Sequence, residues 1–350
     1  MRSTRVLTAV EAHAEGEGGR VITAGAPVLK GASVREKMLY MQAHHDDIRT
    51  LMLQEPRGHP ALCCNLIVQP GDPAADAGFI IMEQGEYPPM SGSNTICVTT
   101  ALLETGAIPM QEPITRLRLE APAGLIDVEA ICRDGKVEQV RFENVPAFAL
   151  HLDVPLDVPG YGSVTVDIAW GGMFFVIADA RAFGIDLVAE QGGAIVQACE
   201  AMRSASVLRY PVTHPEFPEF KGPTISQLTA PADDQAHDGI SAVSVSTGDF
   251  RGAGELTGAL DRSPCGTGTC AKMAVLHAKG QLGSGQDYVN AGPLRTTFTG
   301  RIERLTKVGP HDAIVPTLSG RGWITGLSQH LLDPDDPFQA GFTVGDIWAR

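Results

Sequence analysis

Short runs of β-branched and apolar residues, separated by Gly, Pro, Asn and Asp, recur along most of the chain. They fall at 20–24, 61–68, 78–82, 116–120, 126–131 and 137–142. A Pro/Gly-rich passage follows at 154–162, and the pattern restarts at 164–169, 173–177, 240–246, 296–304 and 323–327. Many brief strands bounded by turn residues are the pattern of twisted antiparallel sheets or barrels. Helical patterns are fewer. One spans 34–50 behind Ser33, with Glu36 three positions on as a capping box. An amphipathic one spans 186–204. Two more, 96–103 and 270–277, are apolar almost all round, which predicts central burial.

Those two apolar helices open in the same way. Ser91-Gly-Ser-Asn-Thr-Ile96 is closed by Gly106, and Cys265-Gly-Thr-Gly-Thr-Cys270 is closed by Gly280 at the same offset. Each copy is a proton-bearing residue, a Gly and a Ser or Thr, then an apolar helix ended by Gly. The repetition predicts two half-molecules facing one substrate, each supplying one acid/base residue. The passage 154–162 is the expected changeover between halves.

Composition narrows the class. A chain of 350 residues exceeds one ordinary core, so two domains are expected. A hydrophobic share of 43% with 19% charged is that of a folded protein. Net charge −14 argues against nucleic acid as a partner, since nothing would release phosphate counterions. No apolar leader follows Met1, and no run of about 18 apolar residues occurs, so neither a signal peptide nor a membrane span is expected. Seven cysteines, odd in number and without a paired framework, fit a reducing cytoplasm. Cys63-Cys64 lies in an apolar run and reads as strand packing.

The candidate chemistry sits where the two helices begin. Helix N-termini carry unpaired N–H groups and partial positive charge. Gly92-Ser93 and Gly266-Thr267 at these termini suit a small anion, most simply a carboxylate. The same field is expected to draw the Cys265 thiol down toward the working range. Other features read as structural. His44-His45-Asp46-Asp47 is a solvated helix face, since neighbouring helical positions diverge. Glu15-Gly-Glu-Gly-Gly19 lacks the Lys-Ser/Thr ending of a nucleotide loop. His13 is equally compatible with lining a cleft or supporting the fold. Cys265 and Cys270 lack Cys-x-x-Cys spacing, and Met90-Ser91-Gly92 lacks the Gly-x-Ser-x-Gly frame of a hydrolase elbow.

Asp261-Arg-Ser-Pro-Cys265-Gly-Thr-Gly-Thr269 resembles the signature of the proline racemase family, which includes hydroxyproline 2-epimerases and trans-3-hydroxyproline dehydratases. The resemblance extends over Glu55-Pro-Arg-Gly-His59, Pro89-Met-Ser-Gly-Ser-Asn94, Asp167-Ile-Ala-Trp-Gly-Gly172 with Phe174, and Gly320-Arg-Gly-Trp-Ile-Thr-Gly326. It implies an α+β fold of two pseudo-symmetric domains, as in diaminopimelate epimerase-like folds. Each domain would be a curled antiparallel sheet or barrel around a central buried helix. The first would span 1–160, completed by 321–350, and the second 161–320. Position by position, Cys265 matches the second catalytic cysteine and Asp261 the acid that holds the ring nitrogen. Gly266 and Thr267 match the carboxylate-binding backbone, with Gly92 and Ser93 as their counterparts. Where the racemases read Met-Cys-Gly-His, this chain reads Met90-Ser91-Gly92-Ser93, so the first thiol and the imidazole are absent. A serine hydroxyl is a far weaker base than a thiolate unless a neighbour activates it.

The resemblance therefore implies a cytoplasmic, cofactor-independent acid/base enzyme at Cα of hydroxyproline, with Ser91 and Cys265 catalytic. No metal or pyridoxal phosphate is called for. The reading is a bifunctional trans-3-hydroxy-L-proline dehydratase and hydroxyproline 2-epimerase. The alternative is a 2-epimerase alone, converting trans-4-hydroxy-L-proline to cis-4-hydroxy-D-proline. A catalytically silent binding protein is the rival from another class, and the joint presence of Asp261 and Cys265 argues against it. A homodimer is implied by the resemblance only.

Overall fold

The computed structural model describes residues 3–246, 258–345 and 347–348. In chain order come β1 (Arg5–Ala14), β2 (Glu17–Ala24), α1 (Val34–His44), α2 (Asp46–Leu53), β3 (Cys63–Val68), β4 (Ala77–Met82), α3 (Gly92–Glu104), β5 (Ile114–Ala121), β6 (Gly124–Arg133) and β7 (Lys136–Glu143). There follow β8 (Phe148–Val158), β9 (Gly162–Trp170), β10 (Phe174–Asp179), α4 (Gly192–Arg209), the short pair β11 (Val212–Thr213) and β12 (Lys221–Gly222), β13 (Ile225–Pro231), β14 (Gly239–Ser246) and β15 (Gly258–Leu260). The last elements are α5 (Gly266–Ala278), β16 (Asp287–Ala291), β17 (Thr297–Val308), β18 (His311–Gly320) and β19 (Gly322–Leu332).

Two compact units result, one from the described residues of Met1–Phe142 and Gly320–Trp348, the other from those of Glu143–Ser319. The boundary falls ahead of 154–162, which is the end of β8 and the turn into β9. Residues 1–2, 247–257, 346 and 349–350 of the expected domain ranges lie outside the described residues.

The duplication reaches into the strand pairing. In the first unit the neighbours run β19-β1-β2-β3-β4-β5-β6-β7, and β2–β3 and β4–β5 are parallel while the rest are antiparallel. In the second they run β8-β9-β10-β13-β14-β16-β17-β18, with β10–β13 and β14–β16 parallel at the matching places. The sheets are therefore mixed, where wholly antiparallel sheets were expected. Parallel neighbours need a long crossover, and each parallel pair here is joined through helix: α1 and α2, then α3, in the first unit; α4, then α5, in the second.

Central strands between two helical layers must be apolar on both faces. Phe175, Ile177, Ile225 and Val243 pack with Ala271 and Val275 of α5. Their alternates Val176, Ala178, Leu228 and Ala242 pack with Ile195, Ala198, Cys199 and Met202 of α4. This is the two-residue period of a strand seen from both sides. Every residue from Gly92 to Leu103 of α3 is buried, and α5 is buried from Gly266 to Ala271 and again at Met273–Val275.

The pattern at 34–50 divides into two helices because His45 leaves the helical region at φ −142°, ψ 30°. Ser33 does cap α1, accepting from the Glu36 N–H at 3.2 Å, while the Glu36 carboxylate takes the Ala32 N–H. Asp46 belongs to the second helix, where it pairs with Arg49 and accepts from the Tyr87 hydroxyl. Cys63 and Cys64 are buried free thiols on β3.

One core feature is ionic. Glu200 and Arg203 of α4 are fully buried and paired at 2.9 Å, and the Ser244 hydroxyl of β14 donates to Glu200 at 2.9 Å. Removing one member of a buried pair strands the other, at about 3–5 kcal/mol. Glu200→Ala is expected to lower stability by that amount in urea unfolding; a loss of under about 1 kcal/mol would contradict the pairing.

Candidate active site

Each unit carries one helix start with chemistry on it. In the first, Ser91 caps α3 from an extended conformation at φ −149°, ψ 125°. Its hydroxyl oxygen accepts from the Asn94 side-chain amide at 2.9 Å and, at the long distance of 3.5 Å, from the Asn94 backbone N–H. The Ser93 hydroxyl lies 3.4 Å away. The first helical bond runs from Thr95 N–H to Ser91 O at 3.0 Å, so the N–H groups of Gly92 and Ser93 precede any acceptor in the helix. Ser91, Ser93 and Asn94 are all buried.

The second start is more elaborate. Asp261 is tied to β14 by its N–H to Val243 O at 2.8 Å. Its carboxylate accepts from both the Ser263 N–H and hydroxyl at 2.8 Å, and the Ser263 hydroxyl in turn accepts from Cys265 N–H at 3.1 Å. Cys265 caps α5 at φ 59°, ψ 111°. A non-glycine residue there stores about 1–3 kcal/mol of backbone strain, held by this network and by tight seating. A Cβ on Gly171 would meet Thr267 O at 2.2 Å, and one on Gly292 would meet the Pro264 nitrogen at 2.9 Å. Gly171 of the Asp167–Gly172 motif is thus required for the β9–β10 turn to lie against the start of α5. Asn290 finishes the seat, donating to Pro264 O at 3.1 Å and to the Thr269 hydroxyl at 2.8 Å.

Cys265 Sγ receives the Gly268 N–H at 3.4 Å, with the Thr267 hydroxyl at 3.9 Å. The thiol is nevertheless pushed well above its usual range, first by burial and then by the Asp261 carboxylate. This corrects the expectation of a thiol drawn down by the helix. The N–H and hydroxyl donors do favour thiolate, but desolvation and a neighbouring negative charge outweigh them. Burial and the Asp261 carboxylate therefore both favour the neutral thiol in the substrate-free protein.

All the residues expected from sequence lie at these two starts: Ser91, Gly92 and Ser93 at one, Asp261, Cys265, Gly266 and Thr267 at the other. His13 supports the fold, accepting from Gly16 N–H at 3.2 Å and stacking on Trp323 at 5.0 Å. Ser263, Asn65, Asn94, Gln227 and Gly268 had no assigned place. Asn94 lies inside the Pro89–Asn94 motif, and only its bond to Ser91 shows what it does. Asp233, Asp234 and His237 approach one another, but Asp233 is engaged by Arg295 at 2.6 Å.

A family model described as proline racemase matches residues 9–343. The chain belongs to the proline racemase family. It is 36% identical to a probable proline racemase from Agrobacterium radiobacter K84, solved with bound carbonate, over 98% of both chains with a TM-score of 0.91. It is 34% identical to a hydroxyproline epimerase from Agrobacterium vitis, solved with bound trans-4-hydroxy-L-proline, over 99% of this chain and 98% of that one, TM-score 0.92. A phenazine biosynthesis protein of the PhzF family from Bacillus anthracis shares the fold at 11% identity and a TM-score of 0.56, over 93% of this chain.

Asp261→Asn removes the negative neighbour of Cys265. The pH at which iodoacetamide alkylates Cys265 is expected to fall toward neutrality, with the rate at pH 8 rising several-fold. Cys265→Ala identifies the modified thiol. An unchanged pH profile in Asp261→Asn would contradict the assigned cause.

Proposed function

We propose that this family member acts at Cα of hydroxyproline by proton transfer alone, as a trans-3-hydroxy-L-proline dehydratase and hydroxyproline 2-epimerase. The observation that carries this reading is the pair of matching helix starts, each headed by a proton-bearing side chain, Ser91 and Cys265, with Asp261 beside the thiol. In this reading, which the repeat in the sequence supports, both starts serve one substrate. Its carboxylate takes N–H groups from Gly92-Ser93 and Gly266-Thr267, its ring ammonium pairs with Asp261, and Ser91 and Cys265 address opposite faces of C2.

The high thiol pKa fits this scheme. An ammonium paired with Asp261 cancels the negative field at Sγ, while the Gly268 N–H and Thr267 hydroxyl stay in place. Ionisation of Cys265 thus becomes easier once substrate is bound. Removal of the Cα proton sends the electron pair into the carboxylate, whose hydrogen bonds to the helix starts tighten as charge develops. Reprotonation from the other face inverts C2. In trans-3-hydroxy-L-proline the hydroxyl shares a ring face with the Cα hydrogen, so one group can remove the proton and return it to the departing hydroxide. Water leaves and a C2–C3 double bond remains.

A second reading, 2-epimerisation alone, is favoured by the likeness to the Agrobacterium vitis enzyme with its trans-4-hydroxy-L-proline. Hydroxyproline is the small-molecule partner in both readings. Among the described residues no helix is long and apolar enough to cross a membrane. All seven cysteines are free, which supports a reducing, cytoplasmic setting, and a homodimer remains part of the proposal.

The test is to incubate the protein with each hydroxyproline isomer in deuterium oxide and follow C2 and C3 by NMR. Wild type is expected to exchange C2, invert the 4-hydroxy substrates and dehydrate the trans-3 isomer; inversion without dehydration selects the second reading. Cys265→Ala is expected to lower every rate by about 10²–10⁴-fold, the scale of a lost acid/base group. Ser91→Ala is expected to abolish inversion. Dehydration then survives if Cys265 works on the face shared by Cα–H and the 3-hydroxyl. Turnover retained in Cys265→Ala would contradict the mechanism.

A further inference from the structure

We propose that Asn94, oriented by Asn65, sets Ser91 as a proton donor and stabilises the alkoxide it leaves, and that glycine holds the equivalent place beside Cys265. This rests on the acid/base part given to Ser91 above.

The direction of the network is fixed from the backbone. Asn65 on β3 places its amide nitrogen 3.4 Å from Arg20 O and 2.6 Å from Asn94 Oδ1. A backbone carbonyl can only accept, so that end of Asn65 is the NH₂. The end of Asn94 that faces it is therefore the oxygen, and the Asn94 NH₂ falls on Ser91 Oγ at 2.9 Å. A serine hydroxyl has one proton and two lone pairs. Asn94 supplies donors to the lone pairs, through its side chain and, at longer range, its backbone N–H. The proton is left to point elsewhere. Among the described contacts of Ser91 Oγ there is no carboxylate or imidazole to accept that proton; the remaining partner is the Ser93 hydroxyl. This is the environment of an acid. Once the proton has gone, the same two donors lie on the alkoxide oxygen, where a charge-assisted bond is roughly twice as strong.

The other unit shows what replaces this arrangement when the cap is a thiol. Gln227 on β13 stands opposite Ile177 of β10, as Asn65 on β3 stands opposite Val21 of β2. Both are buried amides at matching places. Gly268, third after Cys265, matches Asn94, third after Ser91. A Cβ on Gly268 would lie 3.1 Å from Cys265 Sγ and 3.2 Å from Gln227 Oε1. A bridging side chain there would crowd both atoms, and Gln227 Oε1, like Asn65 Oδ1, has no hydrogen-bond partner. The larger sulfur lies close to where a side chain at position 268 would begin. A thiol ionises far more easily than an alcohol and does not need the amide. The third helical residue is thus matched to the cap: Asn with Ser, Gly with Cys.

The test uses Asn94→Asp, which keeps the shape but turns the donor into an acceptor, together with Ser91→Cys and Ser91→Cys/Asn94→Gly. Asn94→Asp is expected to slow inversion at C2 by about 10²–10³-fold, the scale for one lost oxyanion donor, with KM little changed and the pH profile of kcat altered. Cys265 alkylation, and its protection by pyrrole-2-carboxylate, should stay at wild-type levels, which a merely unfolded variant would not show. Ser91→Cys alone crowds the Asn94 amide, and adding Asn94→Gly is expected to raise its inversion rate at least tenfold. That gain stands even if Asn94→Asp fails to fold. Wild-type inversion in Asn94→Asp, or no difference between Ser91→Cys and the double variant, would overturn the proposal alone. A wild type inert to every hydroxyproline isomer would overturn the function and this proposal together.

Discussion

Burying a whole helix inside a sheet imposes one condition from which the chemistry of this protein follows. The first N–H groups of such a helix have no acceptor within it, and an apolar surround offers none. In α3 and α5 the capping atoms, Ser91 Oγ and Cys265 Sγ, satisfy one N–H each, from Asn94 and Gly268. The N–H groups just ahead lie beside side chains able to give and take a proton. On the proposed function, an anion-binding corner and an acid/base residue arise from the same few atoms. The glycines seat the helices closely: Gly19 against Cys97 in the first unit and Gly171 against Thr267 in the second.

What separates the two starts is electrostatic. Ser91 sits in a neutral amide network that begins at a backbone carbonyl and ends on its oxygen. Cys265 sits beside a carboxylate that opposes its ionisation. Asp261 would thus have two effects, holding the thiol neutral in the empty site and releasing it when a cation is bound. On the proposed function, such an arrangement would keep the buried thiol unreactive until substrate arrives. Three other buried cysteines, Cys64, Cys199 and Cys270, are pushed up to about 12 by burial, and none of the three heads a helix.

Much of this was legible in the sequence, and the limits have physical causes. The repeat at Ser91 and Cys265 showed both helix starts, because cap, Gly and hydroxyl residues are contiguous. Strands such as β4, buried at every position, stand out as apolar runs. β13 was missed because its buried polar residues disguise the pattern: Ser226 donates to Cys199 O, Gln227 to Ser241 and Thr229 to Ala178 O. The two parallel pairings in each unit depend on crossovers that no local pattern reveals. The thiol shift was misjudged because the helix start is visible in sequence, whereas the burial of Cys265 and its approach to Asp261 are tertiary facts.

The central proposal, drawn from the sequence repeat, is that two helix starts share one substrate carboxylate, and a crystal structure with pyrrole-2-carboxylate, planar at C2 like the transition state, tests it most directly. The account expects the carboxylate to accept N–H groups from Gly92-Ser93 and from Gly266-Thr267, the ring N–H to meet Asp261, and Ser91 Oγ and Cys265 Sγ to lie on opposite faces of C2. A ligand held by one start only, or with both side chains on the same face, would contradict it.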